Sequence, residues 1–210
     1  VVIAMQPLTR EVDRPVMIGV AGTHSTGKTS FLARLTHQLR RAEVTVATVG
    51  DLGEKAMQMG MPILFNHTWA STLWFITRGI SDEVAAWPHV DVVLVDRPVP
   101  DALGYYLAAL DYRNQDPDPH ELAYLETLVR GHSARYDLIF RTTLDTTQPL
   151  GTNRIRDPDD RFRILADHHV GNVLTDLGIP HDPLPADGHD QALQRAISFT
   201  MTRLATHPTR

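Results

Sequence analysis

Apolar residues in this chain fall into short unbroken runs, separated by longer stretches whose apolar positions recur with helical spacing. The runs cover 16–21, 43–49, 90–95 and 136–141, and a weaker one opens at Gly178-Ile179-Pro180. Continuous apolar runs bounded by turn residues suit strands buried on both faces, as in parallel sheets. Between them the spacing predicts helices over 30–41, 54–86, 101–110, 121–130, 161–177 and 190–204. The second of these is expected to break at Gly60-Met61-Pro62 and again at Gly79. Residues 111–119 read as an acidic loop punctuated by proline, and 145–160 as polar and rich in turns. Strands that alternate with helices imply an α/β fold: a parallel sheet joined by right-handed crossovers. One domain is predicted over 15–205, between a tail at 1–14 and another at 206–210.

Composition narrows the function more than the fold. A chain of 210 residues is long enough for one sizeable core. Its formal charge of −5 argues against a protein that coats nucleic acid, which needs a net basic face. It has no cysteine, so disulfides, thiolate metal sites and cysteine nucleophiles are excluded. No apolar run approaches the roughly 18–20 residues of a membrane span, and the apolar start at 1–5 is too short for a signal sequence. A cytoplasmic enzyme is the expectation. His168-His169, His181 and His189 show no metal-binding spacing. Lysine occurs only at Lys28 and Lys55, every other basic residue among the 20 being arginine.

Lys28 sits in the one strongly specific motif. Gly22-Thr23-His24-Ser25-Thr26-Gly27-Lys28-Thr29 matches every fixed position of the phosphate-binding loop G-x-x-x-x-G-K-[ST]. The loop joins the 16–21 strand to a helix beginning about Ser30. Backbone N–H groups then converge at a helix N-terminus, where the helix dipole favours an anion. Gly22 and Gly27 let the backbone bend around a phosphate with no Cβ in the way. Lys28 is placed to reach the β- and γ-phosphates of ATP, and the Thr29 hydroxyl to ligand Mg²⁺. Residues 22–30, including His24 at a variable position, are the candidate nucleotide-binding set.

The 90–95 run ends in Asp96-Arg97. A carboxylate there lies at the carboxyl edge of the sheet, where open α/β sheets bind ligands. Asp96 is a candidate to hold Mg²⁺ through a water or to act on a substrate hydroxyl, and the bland alternative is a helix cap. Arg97 beside it would face a phosphate or carboxylate, or simply pair on the surface.

The loop and the segment Asp96-Arg97-Pro98-Val99-Pro100-Asp101-Ala102-Leu103-Gly104-Tyr105 together resemble the P-loop small-molecule kinases. The likeness is to the AAA-type ATPase/kinase family that includes nicotinamide-riboside kinase-like domains, and more distantly to deoxynucleoside and thymidylate kinases. It covers most of 16–205. It implies a five-stranded parallel sheet of order 2-3-1-4-5, with Asp101 and Tyr105 one helical turn apart on a substrate-facing side. It also implies an arginine lid at about 150–163, where Arg154, Arg156, Arg161 and Arg163 cluster; Arg156 and Arg161 are the leading candidates. Guanidinium groups closing over a transferring phosphoryl group would stabilise its spreading charge. The alternative is a solvated helix start with Arg–Asp pairs.

In such kinases the second strand ends in a carboxylate, commonly Glu-Pro, that aligns the acceptor. This chain has Gly50-Asp51-Leu52-Gly53-Glu54, which leaves Asp51 or Glu54 for the role and a helix cap as the other reading of Asp51. The resemblance places the acceptor pocket near Trp69, Trp74, Phe75 and Arg78, though aromatics at helical spacing are also what a core requires. The implied function is transfer of the γ-phosphoryl group of ATP, with Mg²⁺, to a small-molecule acceptor such as a nucleoside or nucleotide. The expected partners are that acceptor and, in a homodimer, a second copy of the chain; nucleic acid and membranes are not expected. The competing class is a P-loop ATPase or regulatory switch with no small acceptor. No Asn-Lys-x-Asp guanine motif supports a GTPase, and the chain has no room for the second domain of an oligomeric motor.

Overall fold

In the computed structural model, described over residues 12–24, 26–50, 52–144, 160–185 and 187–206, every residue of strand β1 (Val16–Ala21) is buried. Such burial needs a sheet neighbour on both sides and helices on both faces. β1 pairs in parallel with β3 (Val92–Asp96) and with β4 (Leu138–Thr142). The outer strands are β2 (Val46–Val49), beside β3, and β5 (Asp182–Leu184), beside β4. The five-stranded order is therefore 2-3-1-4-5, all parallel, as the resemblance implied.

Alternation along β1 sorts its side chains between two cores. Val16, Ile18 and Val20 pack on α1 (Lys28–Arg41) and α7 (His189–Thr206) with Phe31, Leu35, Leu193 and Ala196. The opposite face carries α3 (Trp69–Ala86), α4 (Val99–Tyr112), α5 (Pro119–Ser133) and α6 (Asp160–Asp176). Its core holds Ile76, Leu103, Leu125, Phe162 and Leu174. A short helix α2 (Leu52–Gln58) and a 3₁₀ turn (Leu64–Asn66) lie between β2 and α3. α4 and α6 touch backbone to backbone: a Cβ on Gly104 would lie 2.6–2.8 Å from Val170 atoms.

Three expectations need correction. Residues 43–45 do not join β2; Glu43 takes φ +62° and Val44 N–H bonds back to Leu39 O at 3.1 Å, closing the end of α1. Gly79 does not break α3, because the helix continues through it with Leu52 and Val99 side chains near its bare face. Gly178-Ile179-Pro180 is the stop of α6 and not the start of β5. Gly178 at φ +62° lets Ile179 N–H reach Leu174 O at 2.8 Å, a glycine C-cap. The break expected at 60–62 is wider, with only a 3₁₀ turn between the end of α2 at Gln58 and the start of α3 at Trp69; the other helices run where the spacing put them, some with longer ends. Among the described residues no helix is long and apolar enough to cross a membrane. The lid expected at 150–163 lies outside the described residues except for its last four.

Candidate active site

The phosphate loop leaves β1 at Gly22, with φ +133°, and enters α1 at Gly27, with φ +85°. A side chain at Gly22 would be strained and would also collide, its Cβ falling 2.2 Å from Thr142 Oγ1. β4 and α4 brace the loop. Thr142 Oγ1 bonds Ala21 O at 3.1 Å and lies 2.6 Å from Thr26 Oγ1. From α4, Asp101 accepts the Gly22 N–H at 3.0 and 3.3 Å, and the Tyr105 hydroxyl accepts the His24 N–H at 3.1 Å. Lys28 is buried, with its ammonium donating to Thr23 O and to Thr26 Oγ1.

Burial sets the electrostatics of this end. It lowers the Lys28 pKa to about 7, aided by Arg97 and opposed by Asp101 and Asp96. It raises Asp101 to about 7, opposed by Lys28, Arg97 and the Gly22 hydrogen bond. Each of the two groups is desolvated and each is partly rescued by the other.

At the end of β3, Asp96 Oδ2 accepts the Thr29 hydroxyl at 3.0 Å. Asp96 Oδ1 is buried with no hydrogen-bond partner among the described residues. Arg97 follows at φ +69°, a left-handed conformation that costs a residue with a Cβ and recurs at functional sites. Its guanidinium lies 5.2 Å from the centre of the Tyr105 ring. The turn is tied down behind: Val99 N–H donates to Tyr136 Oη at 3.3 Å, and Tyr136 donates to buried Glu83 at 2.9 Å.

These parts open on one cavity of about 620 Å³, an ordinary size for a small-ligand site. Lys28, Thr29, Asp96 and Arg97 line it. So do Glu54 of α2, Leu64 and His67 from the 3₁₀ segment, and Phe75 and Gly79 of α3. The His67 imidazole is buried, 5.1 Å from the Phe75 ring and 6.0 Å from Tyr105. Burial, with Arg97 and Arg113 nearby, lowers its pKa to about 3, so it is neutral at physiological pH.

The remaining candidates are distributed as follows. Ser25, Asp51, Arg154 and Arg156 lie outside the described residues. Thr23, Thr26, Gly27 and Ser30 are in or beside the loop as expected. Asp101 and Tyr105 do share one helix face and both line the cavity, while their hydrogen bonds go to the loop. Trp69 lies away from the cavity: its indole N–H donates to Glu121 O at 3.3 Å and its ring meets Tyr124. Trp74 packs edge-on against Phe75 and stays off the cavity wall. Arg78 is tied to Asp82 at 2.8 Å along its own helix. Arg161 stacks 4.7 Å over Tyr112, whereas Arg163 is buried, with Nε and Nη2 lacking hydrogen-bond partners among the described residues. His67 and Leu64 have no signal in the sequence. Neither belongs to a motif, and they reach the cavity only because the 3₁₀ segment folds against α4.

Fold and loop together define a P-loop nucleotide-binding protein. The chain belongs to the AAA domain family, which it matches over residues 17–191. No curated protein matches it. Among solved structures it is similar to a NadR protein in complex with NR, at 17% identity and TM-score 0.63, over 89% of this chain and 51% of that one. A NadR protein in complex with NAD and AMP-PNP gives 17% identity and TM-score 0.61, over 89% and 49%. The chain thus spans about half the length of the NadR chains it matches. A deoxyadenosine kinase from M. mycoides with bound dATP gives 11% and 0.60, over 87% of this chain and 99% of that one. A thymidylate kinase from Ehrlichia chaffeensis gives 15% and 0.57, over 89% and 99%. At such identities the likeness is one of fold, and it bears out the resemblance to P-loop nucleoside and nucleotide kinases.

Proposed function

We propose that this protein is an ATP-dependent phosphotransferase whose acceptor is the hydroxyl of a nucleoside. One observation carries the reading: a single cavity joins the phosphate loop to an aromatic wall bearing a carboxylate, so donor and acceptor can meet inside it. The neighbours point the same way, since two are named as kinases and one NadR complex holds NR.

At the donor end, backbone N–H groups of 22–29 cradle the phosphates and Lys28 supplies positive charge at the transferring group. Thr29 and Asp96 fit Mg²⁺: a hydroxyl and a carboxylate are hard oxygen donors, and Asp96 Oδ1 has capacity to spare. When bound, the ion offsets charge on the triphosphate oxygens. At the acceptor end, Glu54 or Asp51 aligns the hydroxyl for in-line attack and takes up its proton, while Arg97 fixes a neighbouring oxygen. Phe75 offers its face to a planar base. Arg156 and Arg161 are the arginines we assign to the lid over the phosphates. Arg78 is spent on Asp82, which leaves Arg97 as the arginine lining the cavity among the described residues. Among the described residues that scarcity of arginines supports a nucleoside over a nucleotide.

The test is ATP consumption by the purified protein across a panel of nucleosides, nucleotides, vitamins and sugars. Nucleosides should accelerate turnover well above the basal rate. If no acceptor does so, the ATPase-switch reading replaces this one.

A further inference from the structure

One part of the cavity wall has little backbone structure of its own. Residues 63–67 make one 3₁₀ turn, closed by Asn66 N–H to Ile63 O and His67 N–H to Leu64 O, each at 3.0 Å. Within it Leu64 takes φ +56°, a left-handed conformation unfavourable for a branched side chain. A segment so short and strained needs an outside hold.

Arg113 supplies one. It caps the C-terminal end of α4, where a cation suits the helix dipole. Its Nη1 donates to Phe65 O and its Nη2 to His67 O at 3.0 Å, while Nε is steadied by Gln115 Oε1 at 2.9 Å. A guanidinium is a planar fork and can grip two carbonyls at once, which a lysine ammonium on its flexible stem does with far less geometric definition. Phe65 completes the anchorage by packing 5.5 Å from the Tyr112 ring. The two gripped carbonyls flank Asn66, and Leu64 and His67 of the same segment line the cavity. The same helix that begins beside Arg97 and braces the phosphate loop through Asp101 thus ends by holding this second part of the cavity wall.

We propose that Arg113 is a positioning residue for the acceptor: by gripping the Phe65 and His67 carbonyls it holds Leu64 and His67 as the wall against which the acceptor packs. The assignment of that wall to an acceptor rests on the function proposed above. The test uses Arg113→Met and Arg113→Lys in the full chain, with nicotinamide riboside, deoxyadenosine and thymidine as acceptor probes. Arg113→Met should raise the KM of whichever probe the wild type phosphorylates by tenfold or more. Its kcat should stay within about threefold and its KM for ATP within twofold. Arg113→Lys should recover part of the acceptor KM, and it keeps the test decisive if the methionine variant fails to fold. Hydrogen exchange should quicken at 63–68 in Arg113→Met and stay unchanged at 22–29. An acceptor KM within twofold of wild type in both variants overturns the proposal, as does an equal rise in the KM for ATP. A wild type that phosphorylates none of the three probes counts against the nucleoside reading instead. Exchange then decides the grip alone: faster exchange confined to 63–68 supports it, and unchanged exchange overturns it.

Discussion

Two parts of the cavity lining are made of different kinds of chain. In the phosphate loop, consecutive residues leave β1, turn at Gly22 and Gly27, and enter α1, and side chains from β4 and α4 hold them in place. In the part proposed to meet the acceptor, residues come from α2, a 3₁₀ segment and α3, three separate stretches of the chain. The first is a backbone site, whose geometry follows from glycines and one helix N-terminus. The second is a side-chain site, whose geometry follows from how helices pack and how Arg113 holds a turn. A backbone site can bind the phosphates common to every nucleotide, while a wall of side chains is what one acceptor can be told from another by.

This contrast can be broken most sharply at Lys28. Lys28→Ala removes the cation aimed at the phosphates and should lower kcat by about 10²–10³-fold. It should also weaken triphosphate binding by about 1.5–3 kcal/mol, the worth of a charge-assisted contact. Steady-state kinetics and titration with a non-hydrolysable triphosphate check both, and turnover within twofold of wild type would sink the assignment.

Next in size is Gly22→Ala. The new methyl must clear Thr142 while the backbone keeps φ +133°, so the fold should lose about 1–3 kcal/mol, seen as a Tm lower by several degrees. Gly53 faces open space, and Gly53→Ala should leave Tm close to wild type.

Phe75→Ala sharpens the comparison from the other side. It should raise the acceptor KM about tenfold, as loss of an apolar contact worth about 1–3 kcal/mol would, with the KM for ATP unchanged. An equal effect on both substrates would show that the two parts are not separable.

A pH dependence probes the brace of the phosphate loop itself. Asp101 is held at about 7 against its ordinary 3.8, so the folded state keeps its proton in a range where the unfolded chain has lost it. Stability from this group is therefore full below about 3.8 and falls as pH rises toward 7. Lys28, lowered to about 7 from 10.5, works in the opposite sense between 7 and 10.5. Asp101→Asn removes the first effect, so its Tm measured relative to wild type should climb between pH 4 and pH 7. A difference that stays flat over that range would mean that Asp101 titrates near its ordinary value in the fold.

The strands, the phosphate loop and the separate candidacies of Thr29 and Asp96 were legible in the sequence, whereas the strand order came from the resemblance to P-loop kinases. Short continuous apolar runs suit strands buried on both faces, and two glycines flanking four residues, the second followed by Lys28-Thr29, admit few backbone paths. The four-residue spacing of Asp101 and Tyr105 likewise showed that they share a helix face. What that face meets was not legible, since the loop lies some 80 residues earlier, |i−j| being 79 for Asp101 and 81 for Tyr105. Trp69, Trp74 and Arg78 had the residue types of an acceptor pocket, but side chains on one helix diverge by about 100° per residue, and only packing against α4 and α5 decided which faced the cavity. Gly79 was read as a break because glycine weakens helices; it stays helical where a bare Cα gives Leu52 and Val99 room. Sequence alone determined that a phosphate-binding loop follows β1, because backbone N–H groups and a helix dipole do not depend on distant neighbours. Tertiary structure alone decided that His67 and Leu64 line the same cavity, because Arg113, 46 and 48 residues from the carbonyls it grips, meets them only once α4 has packed.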